Sequence, residues 1–162
     1  MIKILIRIIG ILVLSIFVLY GSIKSFYNNK IEVESFSYVV EPNTSISDLY
    51  DGLYITENIF EKSLFLLGIF IFDFKTIQAG EYLVDDSLFK VLTKMKSGKT
   101  ITHKFVISDG MNIYELSSYI KTLSLNNDCI EFKCINAIND SIEGLLLPDT
   151  YFFKRNTNLS TL

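Results

Sequence analysis

Glu143 stands directly before Gly144, Leu145, Leu146 and Leu147 in the segment Ser141–Tyr151. Apolar neighbours desolvate a carboxyl group and disfavour its charged form, so it keeps its proton closer to neutral pH. A carboxylic acid that is protonated near neutrality is what general acid catalysis requires. The residues that follow, Pro148-Asp149-Thr150-Tyr151, read as a rigid turn bearing polar side chains. Read alone, Glu143 is one more helix-end or turn carboxylate in a salt bridge. Asp149 and Thr150 suit turn residues that bond their own backbone. Tyr151 suits either a core position or an exposed stacking face, and Gly144 a close approach of backbone to a ligand or a strand.

Other chemistries find little support. His103 is the only histidine, which excludes a His-based triad and a multi-His metal site. It alternates with Phe105 and Ile107, so it reads as one face of a strand. Cys129 and Cys134 are the only cysteines, and their spacing fits neither a zinc pair nor a redox Cys-x-x-Cys. They read as two small buried hydrophobes, although an oxidising compartment would permit a disulfide. The net charge is −3 and no basic block occurs. Nucleic acid is therefore not an expected partner, since phosphates need clustered Lys and Arg.

The N-terminus carries an apolar run from Ile8 to Ile23, interrupted only by Gly10, Ser15, Tyr20, Gly21 and Ser22. Counted from Ile4, with Arg7 snorkelling, it reaches the roughly 20 residues that cross a bilayer as a helix. Lys3 and Arg7 before the run favour a cytoplasmic N-terminus. No Ala-x-Ala type site follows, so an uncleaved anchor is expected rather than a signal peptide. The expected location is the cytoplasmic (inner) membrane, with a single pass and the remainder extracytoplasmic.

The other elements must position the carboxylate. Residues 28–35 form a polar connector. Phe36 to Val40 alternates as a strand. Ser45 and Asp48 form a helix-starting cap, and the helix runs from Ile46 to about Tyr50, ending near Gly52. Thr56 opens a second helix from Glu57 to about Leu67, with Gly68 near its end. The apolar stretch Leu64 to Phe72 is too short to span a membrane. Tyr82 to Val84 suits a strand, and Gly80 a bulge or close approach. Ser87 starts a helix from Leu88 to about Lys96, ended by Ser97-Gly98. The order strand-helix-helix-strand is that of a small sugar-binding module of LysM type. Thr102 to Ile107 is a strand, Ser108-Asp109-Gly110 a turn, and Asn112 caps a helix from Ile113 to Leu123. Leu125 to Lys133 carries no clear pattern, and Cys134 to Asp140 reads as a short helix.

Three stretches resemble the endolytic murein transglycosylase family, MltG or YceG-like. Gln78-Ala79-Gly80-Glu81-Tyr82 is similar to its Lys-Ala-Gly-Glu-Tyr. Phe105-Val106-Ile107 followed by Ser108-Asp109-Gly110 is similar to its strand and Pro-Glu-Gly turn, with aspartate replacing glutamate. Glu143-Gly144-Leu145-Leu146-Leu147-Pro148-Asp149-Thr150-Tyr151 is close to its Glu-Gly-x-x-x-Pro-Asp-Thr-Tyr, the specific motif of the three. The resemblance implies an α+β chain. Residues 1–27 would be a transmembrane anchor, 28–35 a linker and 36–98 a LysM-like β-α-α-β subdomain. Residues 99–162 would be the N-terminal part of a mixed α/β catalytic domain. Members run on for more than a hundred residues past the motif, so a truncated or split copy is expected.

The activity implied is lytic cleavage of the β-1,4 bond between N-acetylmuramic acid and N-acetylglucosamine, leaving a 1,6-anhydro end. Glu143 would be the acid and base, and Gly144, Asp149, Thr150 and Tyr151 would bind substrate. No metal or organic cofactor is implied. The partners implied are peptidoglycan glycan strands and the membrane, with peptidoglycan synthases as candidate neighbours. Hydrolysis stays open on the residues alone, because a partner carboxylate about 5 to 9 Å from Glu143 would permit it, and Asp149 is nearest in sequence. A non-enzymatic alternative is an anchored remnant that binds peptidoglycan or acts as a cell-wall scaffold.

Overall fold

The computed structural model describes residues 2–31, 34–54, 58–126, 128–129 and 147–162. The chain is α+β and divides into two compact units, Met1–Thr100 and Ile101–Leu162.

The first unit starts with α1, Ile2–Asn28, whose 27 residues extend about 40 Å at 1.5 Å per residue. It is long and apolar enough to cross a membrane. Only its C-terminal end is enclosed: Ile23 and Tyr27 belong to the core of the unit. Strand β1 (Phe36–Val40) pairs antiparallel with β2 (Gly80–Val84), and α2 (Ile46–Leu53) and α3 (Ile59–Ile71) lie between them in sequence. α4, Leu88–Ser97, follows and buries Leu88, Val91, Leu92 and Met95. The amide of Leu88 donates to the carbonyl of Asn29 (3.2 Å), tying the end of α1 to the start of α4.

Local signals set most helix boundaries. Ser45 and Asp48 form the expected capping box at α2, which satisfies amides that a helix N-terminus leaves unpaired. α4 ends on Gly98 at φ 67°, a left-handed cap that glycine adopts without a Cβ penalty.

Two glycines read as helix stops lie inside helices instead. α2 continues through Gly52 to Leu53, and α3 continues through Gly68 to Ile71. A Cβ on Gly52 would run into the ring of Tyr38, and one on Gly68 into the ring of Tyr27. Both glycines therefore admit an aromatic ring from a neighbouring element, and the burial gained offsets their poor helix propensity. α3 also begins later than expected, with Asn58 as its N-cap.

The second unit contains β3 (His103–Val106), α5 (Ile113–Ile120), β4 (Thr150–Phe153) and a 3-10 turn at Leu159–Thr161. β3 and β4 pair antiparallel. Asn112 and Glu115 form a capping box at α5. That helix stops at Ile120, and turn hydrogen bonds carry the chain onward so that Leu123 still reaches the core. Phe105, Ile107, Leu116, Ile120, Cys129 and Phe153 are the buried residues of that core. Cys129 is disulfide-bonded. This corrects the reading of the cysteines as unlinked apolar residues; burial and a disulfide are compatible in an oxidising compartment. The short helix expected at Cys134–Asp140 lies outside the described residues.

Candidate functional site

Pro148-Asp149-Thr150-Tyr151, expected as a turn, is the entry to a strand. Thr150 and Tyr151 are the first residues of β4, opposite Val106 and Phe105 of β3. A tertiary partner overrode the local turn signal. The backbone amide of Ile107 donates to the carbonyl of Asp149 (2.9 Å), extending the ladder by one residue.

Alternation along the strands then divides the candidate residues between two faces. Tyr151 and Phe153 turn inward with His103 and Phe105. The rings of Phe105 and Tyr151 stack at 5.2 Å with planes 15° apart. His103 stacks on Phe153 at 5.5 Å. Tyr151 therefore packs as part of the core, and its hydroxyl donates to the carbonyl of Leu147 (3.0 Å). Thr150 lies on the outer face and is exposed. The three candidates Asp149, Thr150 and Tyr151 do not converge on one point.

Asp149 is exposed, and its carboxylate accepts from the amide of Thr150 (2.6 Å). The bond is a local one, to the amide of the next residue. Asp109 is exposed in the turn after β3. Antiparallel pairing brings that turn to the same end of the ribbon as Asp149. Glu143 and Gly144 lie outside the described residues, as does the segment from Ser141 to Leu146. What the structure provides next to them is a pinned exit: Leu147 is held by Tyr151, and Asp149 by Ile107.

The outer face of the ribbon carries residues that the sequence reading missed. Phe152 is 64% exposed, and its cross-strand partner is Lys104, also exposed. Val106 and Thr150 complete that face. The strand-favouring composition of Thr150-Tyr151-Phe152-Phe153 was the signal available, but the Pro-Asp pair before it pointed to a turn. Among the described residues, no group of three or more His, Cys, Asp or Glu side chains could hold a metal ion.

The 3-10 turn is anchored by Asp128. Its carboxylate accepts from the amide of Ser160 (3.0 Å) and from the Ser160 hydroxyl (2.5 Å). The Ser160 hydroxyl bond, then the amide bond, pulls the carboxyl below the ordinary aspartate range. In the first unit, burial raises the hydroxyl pKa of Tyr54 well above the usual tyrosine value, with smaller contributions from Tyr50 and Glu61.

The sequence model of the YceG-like family matches residues 38–162. A crystal structure of a YceG-like protein from Listeria monocytogenes is also similar. It is 23% identical, with 76% of this chain and 49% of that one covered, at a TM-score of 0.35. The chain thus spans about half the length of that relative. No curated protein matches the chain.

Proposed function

The chain belongs to the YceG-like family, and from that premise we propose that it is a membrane-anchored lytic transglycosylase of peptidoglycan with Glu143 as acid and base. The single observation that carries the reading is the family match over residues 38–162, which takes in all of Glu143-Gly144 through Asp149-Thr150-Tyr151.

In this reading Glu143 protonates the glycosidic oxygen as the bond to the anomeric carbon of N-acetylmuramic acid breaks. The carboxylate then takes the proton of that sugar's own 6-hydroxyl as its oxygen closes on the anomeric carbon. One proton is given and one is recovered, so a single carboxyl group serves both steps. Asp149 stands at the entry to β4 that follows the acid, and Tyr151 fixes that entry by its stack on Phe105 and its bond to Leu147. Thr150, on the outer face, contributes a hydroxyl for substrate. Phe152, beside it on that face, offers a ring against which the C–H face of a sugar packs. Gly144 gives the glycan room beside the backbone.

α1 serves as the single span, with Lys3 and Arg7 on the cytoplasmic side. The β1-α2-α3-β2 portion serves as a LysM-like contact to glycan, and residues 99–162 carry the catalytic segment. Peptidoglycan synthases are natural neighbours for an enzyme acting on new strands at the inner membrane.

The test is incubation of the full chain in detergent with peptidoglycan sacculi, followed by mass spectrometry of the soluble products. Anhydro-muramic ends that vanish in Glu143→Gln are the expected result. Equal product from the variant would remove Glu143 from its role. Reducing ends would instead indicate hydrolysis and move attention to Asp149. Binding to sacculi with no product from the folded chain would favour an anchored glycan-binding protein.

A further inference from the structure

A helix that is apolar on every side is ordinarily enclosed by protein or by lipid. α3 buries Leu64, Phe65, Gly68 and Ile69 on one face. Its other face carries Ile59, Phe60, Leu66, Leu67, Phe70 and Ile71, all exposed.

The packing of α3 on α1 shows where that apolar face begins. Phe60, Glu61 and Leu64 line a cleft together with Val18, Gly21 and Ser22 of α1. Further along, the carbonyl of Phe65 accepts from the Tyr27 hydroxyl (2.6 Å), and Phe72 packs on the Tyr27 ring at 5.0 Å. The two helices therefore run in the same direction, and the first turn of α3 is beside the last turns of the α1 apolar run. Val18 is about 7 Å below Ile23, where that run ends, at 1.5 Å of rise per residue. Ile59 and Phe60 are 82% and 65% exposed at that level. Two charged side chains share that turn without sharing the exposed face of Ile59 and Phe60: Lys62 is held by Asp51 of α2 (2.7 Å), and Glu61 lines the cleft against α1.

We propose that the first turn of α3 is a second membrane contact: Ile59 and Phe60 enter the lipid leaflet beside α1 and hold the first unit against the bilayer surface. The occupant is the upper acyl-chain region of a phospholipid leaflet. Continuity with the apolar surface of α1 argues for lipid, because the same leaflet that surrounds Val18 and Leu19 reaches Phe60. Leu66 to Ile71 rise away from that level with the helix. The proposal rests on the reading of α1 as a membrane span.

The chain contains no tryptophan, so a single tryptophan is a clean reporter. Full-length Phe60→Trp, Phe17→Trp and Tyr114→Trp are reconstituted in phosphatidylcholine–phosphatidylglycerol liposomes. Each is compared in ordinary lipid and in phosphatidylcholine brominated in the upper acyl chain. Phe17 reports the span, and Tyr114 is an exposed side chain of the second unit. The expected result is blue-shifted emission from Phe60→Trp that loses intensity in brominated lipid, as for side chains at the headgroup–acyl boundary. Tyr114→Trp should remain water-like and unquenched. Ile59→Trp repeats the measurement should Phe60→Trp not fold. Quenched Phe17→Trp with water-like, unquenched Phe60→Trp and Ile59→Trp overturns the α3 contact alone. Unquenched Phe17→Trp overturns the span, and the α3 contact with it.

Discussion

The pairing of β3 with β4 places the end of the candidate catalytic segment, and a double-mutant cycle across it tests that placement. Phe105 is opposite Tyr151 in the ladder, with rings stacked at 5.2 Å. Leucine at either position keeps an apolar side chain and removes the stack. Aromatic pairs contribute about 0.5–1.5 kcal/mol beyond the area they bury, and cross-strand pairs fall in a similar range. The cycle of Phe105→Leu and Tyr151→Leu should therefore yield a coupling of about 1 kcal/mol. Phe105→Ala is a poorer probe. Emptying that buried site should cost about 3–5 kcal/mol, and a unit of this size has only about 3–9 kcal/mol in total. The assay is urea unfolding of the full chain in detergent, read by hydrogen exchange of peptides from 103–126 and 150–162. Tyr114→Leu, at an exposed position, should change stability by less than about 0.5 kcal/mol. Coupling indistinguishable from zero would mean that the two rings do not meet. The register, and the placement of Asp149 and Thr150 with it, would then be wrong.

Gly68→Ala should destabilise the first unit. Its Cβ would meet the Tyr27 ring, which cannot swing aside while its hydroxyl holds the Phe65 carbonyl. Overpacking of about 1–3 kcal/mol should exceed the gain of about 1 kcal/mol in helix propensity, and an unchanged or raised thermal midpoint would refute this. Asp128 gives a pH prediction. Its carboxyl pKa is lowered in the folded state by the bonds from Ser160, so its contribution is complete above the ordinary value of 3.8 and is lost as pH falls through the lower folded value. Asp128→Asn should remove that part of the acid-limb slope of the second unit. A stability–pH curve that keeps the wild-type slope below pH 3.8 would count against the Ser160 bonds.

Local signals determined much of this protein. The apolar run of α1, the Ser45–Asp48 and Asn112 caps, the Gly98 stop and the alternation of β3 were all legible, because each depends on residues within one or two turns of chain. The motif at Glu143 was legible as well, since a family motif is a property of order and spacing. The α+β character follows from these elements and agrees with the fold.

Tertiary structure decided what lay beyond that range. Gly52 and Gly68 looked like helix ends because glycine has poor helix propensity. Tyr38 and Tyr27, distant in sequence, made them packing sites inside helices. Pro148-Asp149-Thr150-Tyr151 looked like a turn until β3 supplied a ladder for it. That pairing sent Tyr151 into the core and left Thr150 and Phe152 outside, a separation no local rule contains. The apolar outer face of α3 was visible as composition, but its level along α1 emerged only once the two helices packed side by side. Propensity acts over a few residues, whereas burial depends on partners far away in the chain, and at these positions burial prevailed.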